Sequence, residues 1–239
     1  MTNVIIVNRD SHRALRVQPR PSAQLGDAQR FVSVVVNEFP FLVAHYPIFF
    51  SKDSGTGQFY CGAVLGFDDG ENLFLDEGAP RPDAYRPLNL QRGPFFTAGD
   101  ELAIDLDNPR VGIGEVLFES DGTPTLYLEG IKTTMRELKQ GEQRTKVFVD
   151  TLLGLKLVEA IELDIGFDDG SKRQITGLYT IAQDALRALP DAAVLDLFRR
   201  GYLNLIYLML ASMRQVSVLA QTKNRKLQAG TEMLRPPTA

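Results

Sequence analysis

The chain has 239 residues, of which 44% are hydrophobic and 23% are charged, and its formal net charge is −4 at pH 7. This composition is typical of a globular protein, and the length suits one large domain or two small ones. A mildly acidic chain without a basic stripe argues against nucleic-acid binding, which needs clustered Lys and Arg to contact phosphates. The one basic cluster, 223–226, is interpreted as the solvated end of a helix.

Location and redox chemistry are also constrained by the sequence. The first nine residues become polar too soon for a secretory signal, and no stretch reaches the ~18–20 apolar residues that span a bilayer. We therefore expect a cytoplasmic protein with no membrane span. The single cysteine, Cys61, excludes an intramolecular disulfide, and its apolar neighbours predict a small core residue.

The N-terminal half is predicted to be rich in strands. Residues 4–7 form a strand candidate, and 10–26 is interpreted as an extended arm. The segment 31–38 is ambiguous, because its valines favour a strand, whereas Pro40 fits the first position of a short helix that ends at His45. The further strand candidates are 47–51, 59–67, 72–76, 102–106 and 115–118.

Two connections in this half are informative. Asp68, Asp69 and Gly70 lie between two apolar runs, and this turn sequence predicts a hairpin. Residues 78–97 contain four prolines and are predicted to form a long loop, of the kind that is often functional.

The second half is predicted to be mainly helical. Apolar spacing over 126–153 predicts one long helix, or two with a joint at Gly141, ended by a cap at Gly154. Alternating apolar residues over 161–181 predict a second hairpin, whose turn repeats the Gly-Phe-Asp-Asp-Gly string of 66–70.

A C-terminal helical pair follows, with a first helix from Pro190 that is stopped by Gly201 and a second over 202–222. We therefore predict an α+β fold with a β-rich N-terminal half, antiparallel hairpins and a long connecting helix. It forms one domain over 1–222, β-rich to about 124 and helix-rich from about 125, with a disordered tail at 223–239.

The helix over 202–222 is apolar nearly all round, so it should be buried on most sides. Two arrangements satisfy this pattern: complete burial within the monomer, or one face buried in a homodimer. An uncovered remainder would leave a large apolar patch, which soluble monomers rarely tolerate. The homodimer is the arrangement that we expect.

No standard catalytic motif occurs, because phosphate-binding glycine loops, Gly-x-Ser-x-Gly and Cys-x-x-Cys are all missing from the sequence. The only histidines are His12 and His45, and His12 lies in the predicted arm. An oxygenase-like metal site would need Glu38, His45 and an acid such as Glu71 to converge. No cofactor is predicted.

Two regions carry polar side chains that suggest binding. The loop over 85–96 mixes cationic and aromatic groups, which could hold an anionic or sugar-like ligand, or could form a structural lid. Its members are Tyr85, Arg86, Asn89, Arg92, Phe95 and Phe96. The acids at 68–71, and Asp105 with Asp107, could bind a divalent cation or could be solvated turns.

Several blocks, in order and spacing, resemble the SapC-type family over roughly residues 8–222. They are Glu38-Phe39-Pro40, 45–50 (His-Tyr-Pro-Ile-Phe-Phe), 70–76 (Gly-Glu-Asn-Leu-Phe-Leu-Asp), Tyr85-x-Pro87, 92–95, 117–122, 186–191 and 201–212. The resemblance implies an accessory protein whose gene lies beside those for TonB-dependent receptors, flavin-dependent halogenase-like proteins and cupin-like proteins. It implies no catalytic residues.

The resemblance makes the matching polar positions candidates for ligand binding. With the neighbouring loop residues, the candidates are Glu38, His45, Tyr46, Glu71, Asn72, Tyr85 and Arg92. Three functions are carried forward. The first is a non-catalytic binding or accessory protein that binds a small anionic or glycan-like ligand, or a partner from the same TonB-dependent uptake locus. The second is a metal-dependent oxygenase-like enzyme using Glu38, His45 and Glu71. The third is a surface-layer structural protein, which the family name suggests and which would require export.

Overall fold

The computed structural model describes residues 3–76, 79–80 and 84–233. The strands are β1 (Val4–Ile6), β2 (Arg16–Val17), β3 (Phe31–Ser33), β4 (Ile48–Lys52), β5 (Phe59–Val64), β6 (Leu75–Asp76), β7 (Ala79–Pro80), β8 (Phe95–Ala98), β9 (Glu101–Asp105), β10 (Glu115–Val116), β11 (Val158–Gly166) and β12 (Lys172–Ile181). The α-helices are α1 (Arg9–His12), α2 (Phe39–Leu42), α3 (Leu88–Gln91), α4 (Leu126–Gly154), α5 (Gln183–Arg187), α6 (Asp191–Arg199), α7 (Tyr202–Ser212) and α8 (Arg214–Met233).

The fold is α+β, as predicted, with antiparallel sheets, a long central helix and C-terminal helices. The chain divides into two compact units, and each combines an early with a later segment. The first unit consists of Met1–Ala28 with Leu75–Gln143, and the second consists of Gln29–Phe74 with Arg144–Ala239. The helix α4 contributes residues to both units, and the single domain over 1–222 stays a prediction.

The first unit is built on a three-stranded antiparallel sheet in the order β1-β9-β8. Ile104 in the central strand pairs with Ile5 on one side and Phe95 on the other, and both Ile104 and Phe95 are fully buried. A second, two-stranded ladder joins β2 to β10. The sheet positions the segment around α3 and β8 that holds the candidate site.

The predicted extended arm over 10–26 is wrong, because the segment is folded into the first unit. Asn8 caps α1 by accepting a hydrogen bond from the Ser11 N–H at 2.8 Å, and His12 is buried. Arg110 then donates to the carbonyls of Gln18 at 3.1 Å and Arg20 at 3.0 Å. These contacts come from residues about ninety positions away, so a local reading could not show them.

The second unit is built on a five-stranded antiparallel sheet in the order β11-β12-β4-β5-β3. The predicted hairpin over 161–181 is confirmed as β11 and β12, with an irregular register between Ile161 and Leu163. One apolar cluster joins this hairpin to β4, β5 and α8 through side chains that include Phe49, Val64, Leu178 and Leu219. Burial of these apolar side chains stabilises the unit.

The hairpin predicted at 59–76 does not form. β5 ends at Val64, and β6 pairs with β7 instead. The carboxylate of Glu71 accepts the N–H groups of Phe67 at 2.8 Å and Asp68 at 3.3 Å, so it closes the turn as a compact loop. The ambiguous stretch 31–38 is resolved as β3 followed by a 3-10 turn at Val36–Glu38.

The long helix is continuous across Gly141, so the single-helix alternative is the one observed. The predicted cap at Gly154 is wrong, because the left-handed residue after the helix is Lys156, with φ of 56°. In the predicted loop over 78–97, the described part contains α3 and β8.

The C-terminal helix extends further than predicted. It is divided at Met213 into α7 and α8, and α8 continues to Met233, where the sequence predicted a disordered tail from 223. Residues 234–239 of that predicted tail lie outside the described residues.

By length and composition, the helical stretch Tyr202–Ala229 could cross a membrane, contrary to the expectation from the sequence: an 18-residue window within it has a mean hydropathy of 1.4. Of that window, 22% is buried. A single helix of this kind is weak evidence for a span, because the core helix of a soluble protein passes the same test. Its exposed positions include Asn204, Tyr207 and Arg214, so this helix is not completely buried within the monomer.

Candidate functional site

The seven candidate residues fall in both units. Tyr85 and Arg92 belong to the first unit, and the remaining five belong to the second. The latter are Glu38, His45, Tyr46, Glu71 and Asn72.

Three of these residues lie around the short helix α2. Glu38 is 1% exposed, and its carboxylate accepts the Val35 N–H at 2.9 Å, which stabilises the turn before α2. Tyr46 is buried, with its ring centroid 4.2 Å from that of Phe74. His45 is half-buried, and its ring meets the edge of Tyr46 at 6.1 Å. The contacts of Glu38 and Tyr46 explain these two residues as parts of the core.

Glu71 and Asn72 stabilise the loop that follows β5. Besides closing the turn, the Glu71 carboxylate forms an ion pair with Lys223 of α8. Asn72 accepts the Phe74 N–H through its side-chain oxygen at 2.9 Å. Both residues therefore hold the conformation of this loop.

The neighbouring Asp68 completes an ion cluster with Glu71, Lys223 and Arg173, which we call the rim cluster. Lys223 Nζ lies 2.7 Å from Asp68, and Arg173 also pairs with Asp68. The hydrogen bond from Arg173, together with that from Lys223, lowers the pKa of Asp68. Burial disfavours the charged form of Lys223, but hydrogen bonds to Asp68 and Glu71 outweigh it and raise the pKa of Lys223.

The rim cluster decides the question of cation binding by the acids at 68–71. Their charges are paired with Lys223 and Arg173, and Asp69 pairs with Arg30 at 3.1 Å. At the other acidic pair, the Asp105 carboxylate accepts the Asp107 N–H at 3.1 Å, as in an ordinary turn. The described contacts therefore favour the structural interpretation of both groups.

The metal-dependent hypothesis requires a set of ligands, and the part of the chain that the structure describes does not supply one. Among residues 3–76, 79–80 and 84–233, no group of three or more His, Cys, Asp or Glu side chains could hold a metal ion. Glu38, His45 and Glu71, all of them described, do not form such a group; the Glu38 carboxylate caps a turn and the Glu71 carboxylate pairs with Lys223.

Arg92 occupies a different environment at the end of α3. Its Nε donates to the side-chain oxygen of Asn89 at 3.1 Å, and its Nη1 donates to the Phe95 carbonyl at 2.7 Å. The guanidinium carbon lies 4.4 Å from the centroid of the Phe96 ring. Gly93, with φ of 55°, turns the chain directly after Arg92 so that Phe95 can begin β8. The guanidinium is thus held in one orientation.

A cavity of ≈180 Å³ lies beside this guanidinium. It is lined by Asn89, Arg92, Phe96, Thr97, Met135, Leu138, Lys139 and Glu142. Burial lowers the pKa of Arg92, and the nearby Glu142 carboxylate opposes that shift. Among the described residues, Arg92 Nη2 has no hydrogen-bond partner, so it is available to a bound group.

A second cavity of ≈320 Å³ shares Thr97, Met135 and Lys139 with the first, so the two adjoin. It adds the cations Lys132 and Arg136. Lys139 donates to the Asp100 carboxylate at 2.6 Å. The surroundings of the two cavities therefore combine several cations with a few carboxylates.

Sequence reasoning found Arg92 but missed the residues that α4 contributes to these cavities. A sequence signal for them was present: the cations at positions 132, 136 and 139 are four and three residues apart, so they share one face of a helix. Their proximity to Arg92 depends on how α4 packs within the first unit.

Tyr85 and Arg86, from the same loop, do not line either cavity. Arg86 instead lies 3.1 Å from the buried carboxylate of Asp27 and donates to the Leu90 carbonyl at 2.6 Å. Arg110 pairs with the other oxygen of Asp27. We call Asp27, Arg86 and Arg110 the buried network, and its role is structural.

Comparison with known proteins gives a family and nothing finer. The family model SapC matches residues 7–219 of the chain. No curated protein and no solved structure matches the chain. The role of each residue therefore rests on the geometry described above.

Proposed function

The chain belongs to the SapC family, and from that premise we propose that it is a non-catalytic accessory protein. In this proposal it binds a small anionic, glycan-like ligand in the cavity beside Arg92. The observation that carries the proposal is the guanidinium of Arg92, which is held by Asn89 and Phe95 while its Nη2 has no described partner.

A guanidinium that is already oriented favours binding, because little side-chain entropy remains to be lost when a carboxylate or phosphate arrives. Hydrogen bonds between a guanidinium and an anion are also stronger than those between neutral groups. Partial burial of Arg92 strengthens both effects by reducing competition from water.

The remaining lining residues suit a ligand that also carries hydroxyl groups. Thr97 and Lys139 supply donors, and Glu142 supplies an acceptor, beside the apolar surface of Phe96 and Met135. Together the two adjoining cavities fall in the size range of small-molecule sites, roughly 300–1,000 Å³. Mixed donors and acceptors around a cation match an acidic sugar better than a simple anion.

Isothermal titration calorimetry with glucuronate, glucose and acetate tests this proposal. Glucuronate should bind most tightly, because only glucuronate has both the charge and the hydroxyl groups. Arg92→Gln should weaken glucuronate binding about 10- to 100-fold, since a hydrogen bond to a charged group contributes about 1.5–3 kcal/mol. The affinity of Arg92→Lys for glucuronate should lie between those of the wild type and Arg92→Gln, because lysine keeps the charge without the planar geometry.

Lys146→Gln is the matched control, since it removes one exposed charge from an ion pair with Asp150 in the second unit. It should leave the affinity for glucuronate unchanged. Equal affinity of the wild type and folded Arg92→Gln would contradict the proposal, as would turnover of the probe.

An accessory role also requires a partner, and the family resemblance points to proteins of the same TonB-dependent uptake locus. Pull-down from native lysate at near-physiological salt should recover such a partner. Fractionation of cells should find the protein in the cytoplasm with that partner. Recovery at the cell surface would favour the surface-layer structural function instead.

A homodimer through the helix over 202–222 is a further part of this proposal. It is supported by Tyr207, which is 59% exposed, and Val218, which is 41% exposed, on that helix. Asn204 and Arg214 are also exposed, which limits the apolar area. Light scattering should detect a dimer that Tyr207→Asp converts to a folded monomer, and a wild type that is monomeric at high concentration would disprove it.

A further inference from the structure

The second unit contains a separate cavity of ≈210 Å³ beside the five-stranded sheet. It lies near the junction of β12 and β4, whose pairing is limited to Leu178 with Ser51 and Tyr179 with Phe50. All of its lining residues belong to the second unit, so it is distinct from the cavity beside Arg92.

Two aromatic rings form the side of this cavity. The Phe31 and Tyr60 rings meet edge to face, with centroids 6.1 Å apart and planes at 65°. Phe31 lies across Gly62, where an added Cβ would come within 2.1 Å of the ring. The absence of a side chain at Gly62 therefore permits this ring position, and the aromatic surface is formed before any ligand arrives.

Aliphatic side chains supply the remaining apolar surface. Val64, Ile175 and Leu178 line the cavity, and all three are buried members of the apolar cluster that joins the hairpin to α8. Because these side chains are held by the core, they give the cavity an apolar wall that suits a ring or a branched aliphatic group.

Polar groups in the lining point to an acidic ligand. Arg30 lines the cavity, and its Nε lies 3.1 Å from the exposed carboxylate of Asp69. In the described part of the chain, the Nη1 and Nη2 groups of Arg30 donate no hydrogen bond. The hydroxyl of Tyr60 likewise has no hydrogen-bond partner among the described residues. A carboxylate could therefore accept hydrogen bonds from both Nη1 and Nη2, the two-pronged arrangement that Arg favours.

We infer that this cavity is a binding site for a small carboxylic acid with an aromatic or branched aliphatic group. The apolar group packs against Phe31, Tyr60 and Ile175, and the carboxylate binds Arg30. This ligand class differs from the hydroxylated ligand proposed for the first unit. The two sites can therefore be tested separately.

Phenylacetate, 2-phenylethanol and acetate are suitable probes, because they carry the ring and charge, the ring alone and the charge alone. Titration of the full chain, followed by NMR chemical shifts, should show phenylacetate binding about tenfold more tightly than either of the others. The shifts should change at Thr176 and Tyr60, which line the cavity. Equal binding of all three probes, or no binding of phenylacetate, would overturn the inference.

Variants locate the binding. Arg30→Gln should weaken phenylacetate binding about tenfold, to the level of 2-phenylethanol, because it removes the charged donors. Arg199→Gln removes an exposed cation of α6 that does not line the cavity and should have no effect. Undiminished phenylacetate binding in a folded Arg30→Gln would place the ligand elsewhere and refute the inference.

Discussion

The two units use carboxylates for the same structural task in different surroundings. In the first unit, Asp27 is 2% exposed and anchors the N-terminal segment through Arg86, Arg110 and the Ser22 N–H. In the second unit, the rim cluster joins α8 to the loop after β5, and the Asp68 side chain is 35% exposed. Water can solvate the rim cluster when a partner is lost, whereas the Asp27 and Arg110 side chains of the buried network are only 3% and 4% exposed.

This difference extends to the source of stability in each unit. The buried network holds irregular chain, because Arg110 pairs with Asp27 and also donates to the carbonyls of Gln18 and Arg20. The rim cluster lies beside an apolar cluster that already joins the sheet to α8. Charge pairing should therefore matter more to the first unit, and apolar burial should matter more to the second.

The strongest test of this comparison is Asp27→Asn. The substitution keeps the size of the side chain but leaves two buried or half-buried guanidinium groups without their carboxylate. We expect a loss of about 3–5 kcal/mol in the free energy of unfolding, the range for breaking a buried ion pair. Urea unfolding followed by circular dichroism would measure it.

Asp10→Asn is the matched control, because Asp10 pairs with Arg9 in an exposed position of the same unit. Asp10→Asn should lower the free energy of unfolding by less than about 1 kcal/mol. If the two substitutions destabilised the protein equally, the distinction between buried and exposed networks would not hold.

A smaller loss in the free energy of unfolding is expected from Lys223→Met in the rim cluster. Methionine keeps an apolar stem, but Glu71 and Asp68 lose their shared cation, while Asp68 retains Arg173. We expect about 1–3 kcal/mol of destabilisation, since the remaining carboxylates can be partly solvated. Lys146→Met, in an exposed pair with Asp150, should change stability by about 0.5 kcal/mol or less.

The pH dependence of the stability difference between the wild type and Lys223→Met shows whether that difference arises from lost charge pairing or from lost packing. The lowered pKa of Asp68 means that its contribution is present above the ordinary value of 3.8 and is lost as pH falls through the folded-state pKa. The raised pKa of Lys223 means that its contribution is present below 10.5 and is lost as pH rises through the folded-state pKa. The gap between wild type and Lys223→Met should therefore narrow at both extremes. A gap that is constant into strong acid would instead indicate lost packing.

The sequence predictions were accurate where local interactions determine the structure and wrong where contacts between distant segments determine it. The hairpin of β11 and β12 and the helix α4 were predicted well, because alternating or helically spaced apolar residues report local structure. The hairpin at 59–76 was wrong, although its turn residues were favourable. There, Glu71 closes the loop, and its position is held by Lys223 from a helix 152 residues later in the chain.

The candidate binding residues show the same limit. Arg92 was identified because one loop mixes cationic and aromatic residues and because Arg92 lies in a block that resembles the family. Lys139 and Glu142 were missed, since only the packing of α4 in the first unit brings them to the same cavity. Glu38 and Tyr46 were candidates from the family resemblance, whereas their burial gives them a place in the core.

The sequence by itself determined the fold class, the family and most regular elements, because propensity, periodicity and ordered motifs act over short stretches of chain. Only the tertiary structure decided which cation meets which carboxylate and where cavities remain. The reason is physical: an ion pair depends on distances of a few ångströms between groups from distant segments, and composition alone is compatible with many pairings. The arm that is folded against Arg110 and the ring that lies across Gly62 are both consequences of such long-range packing.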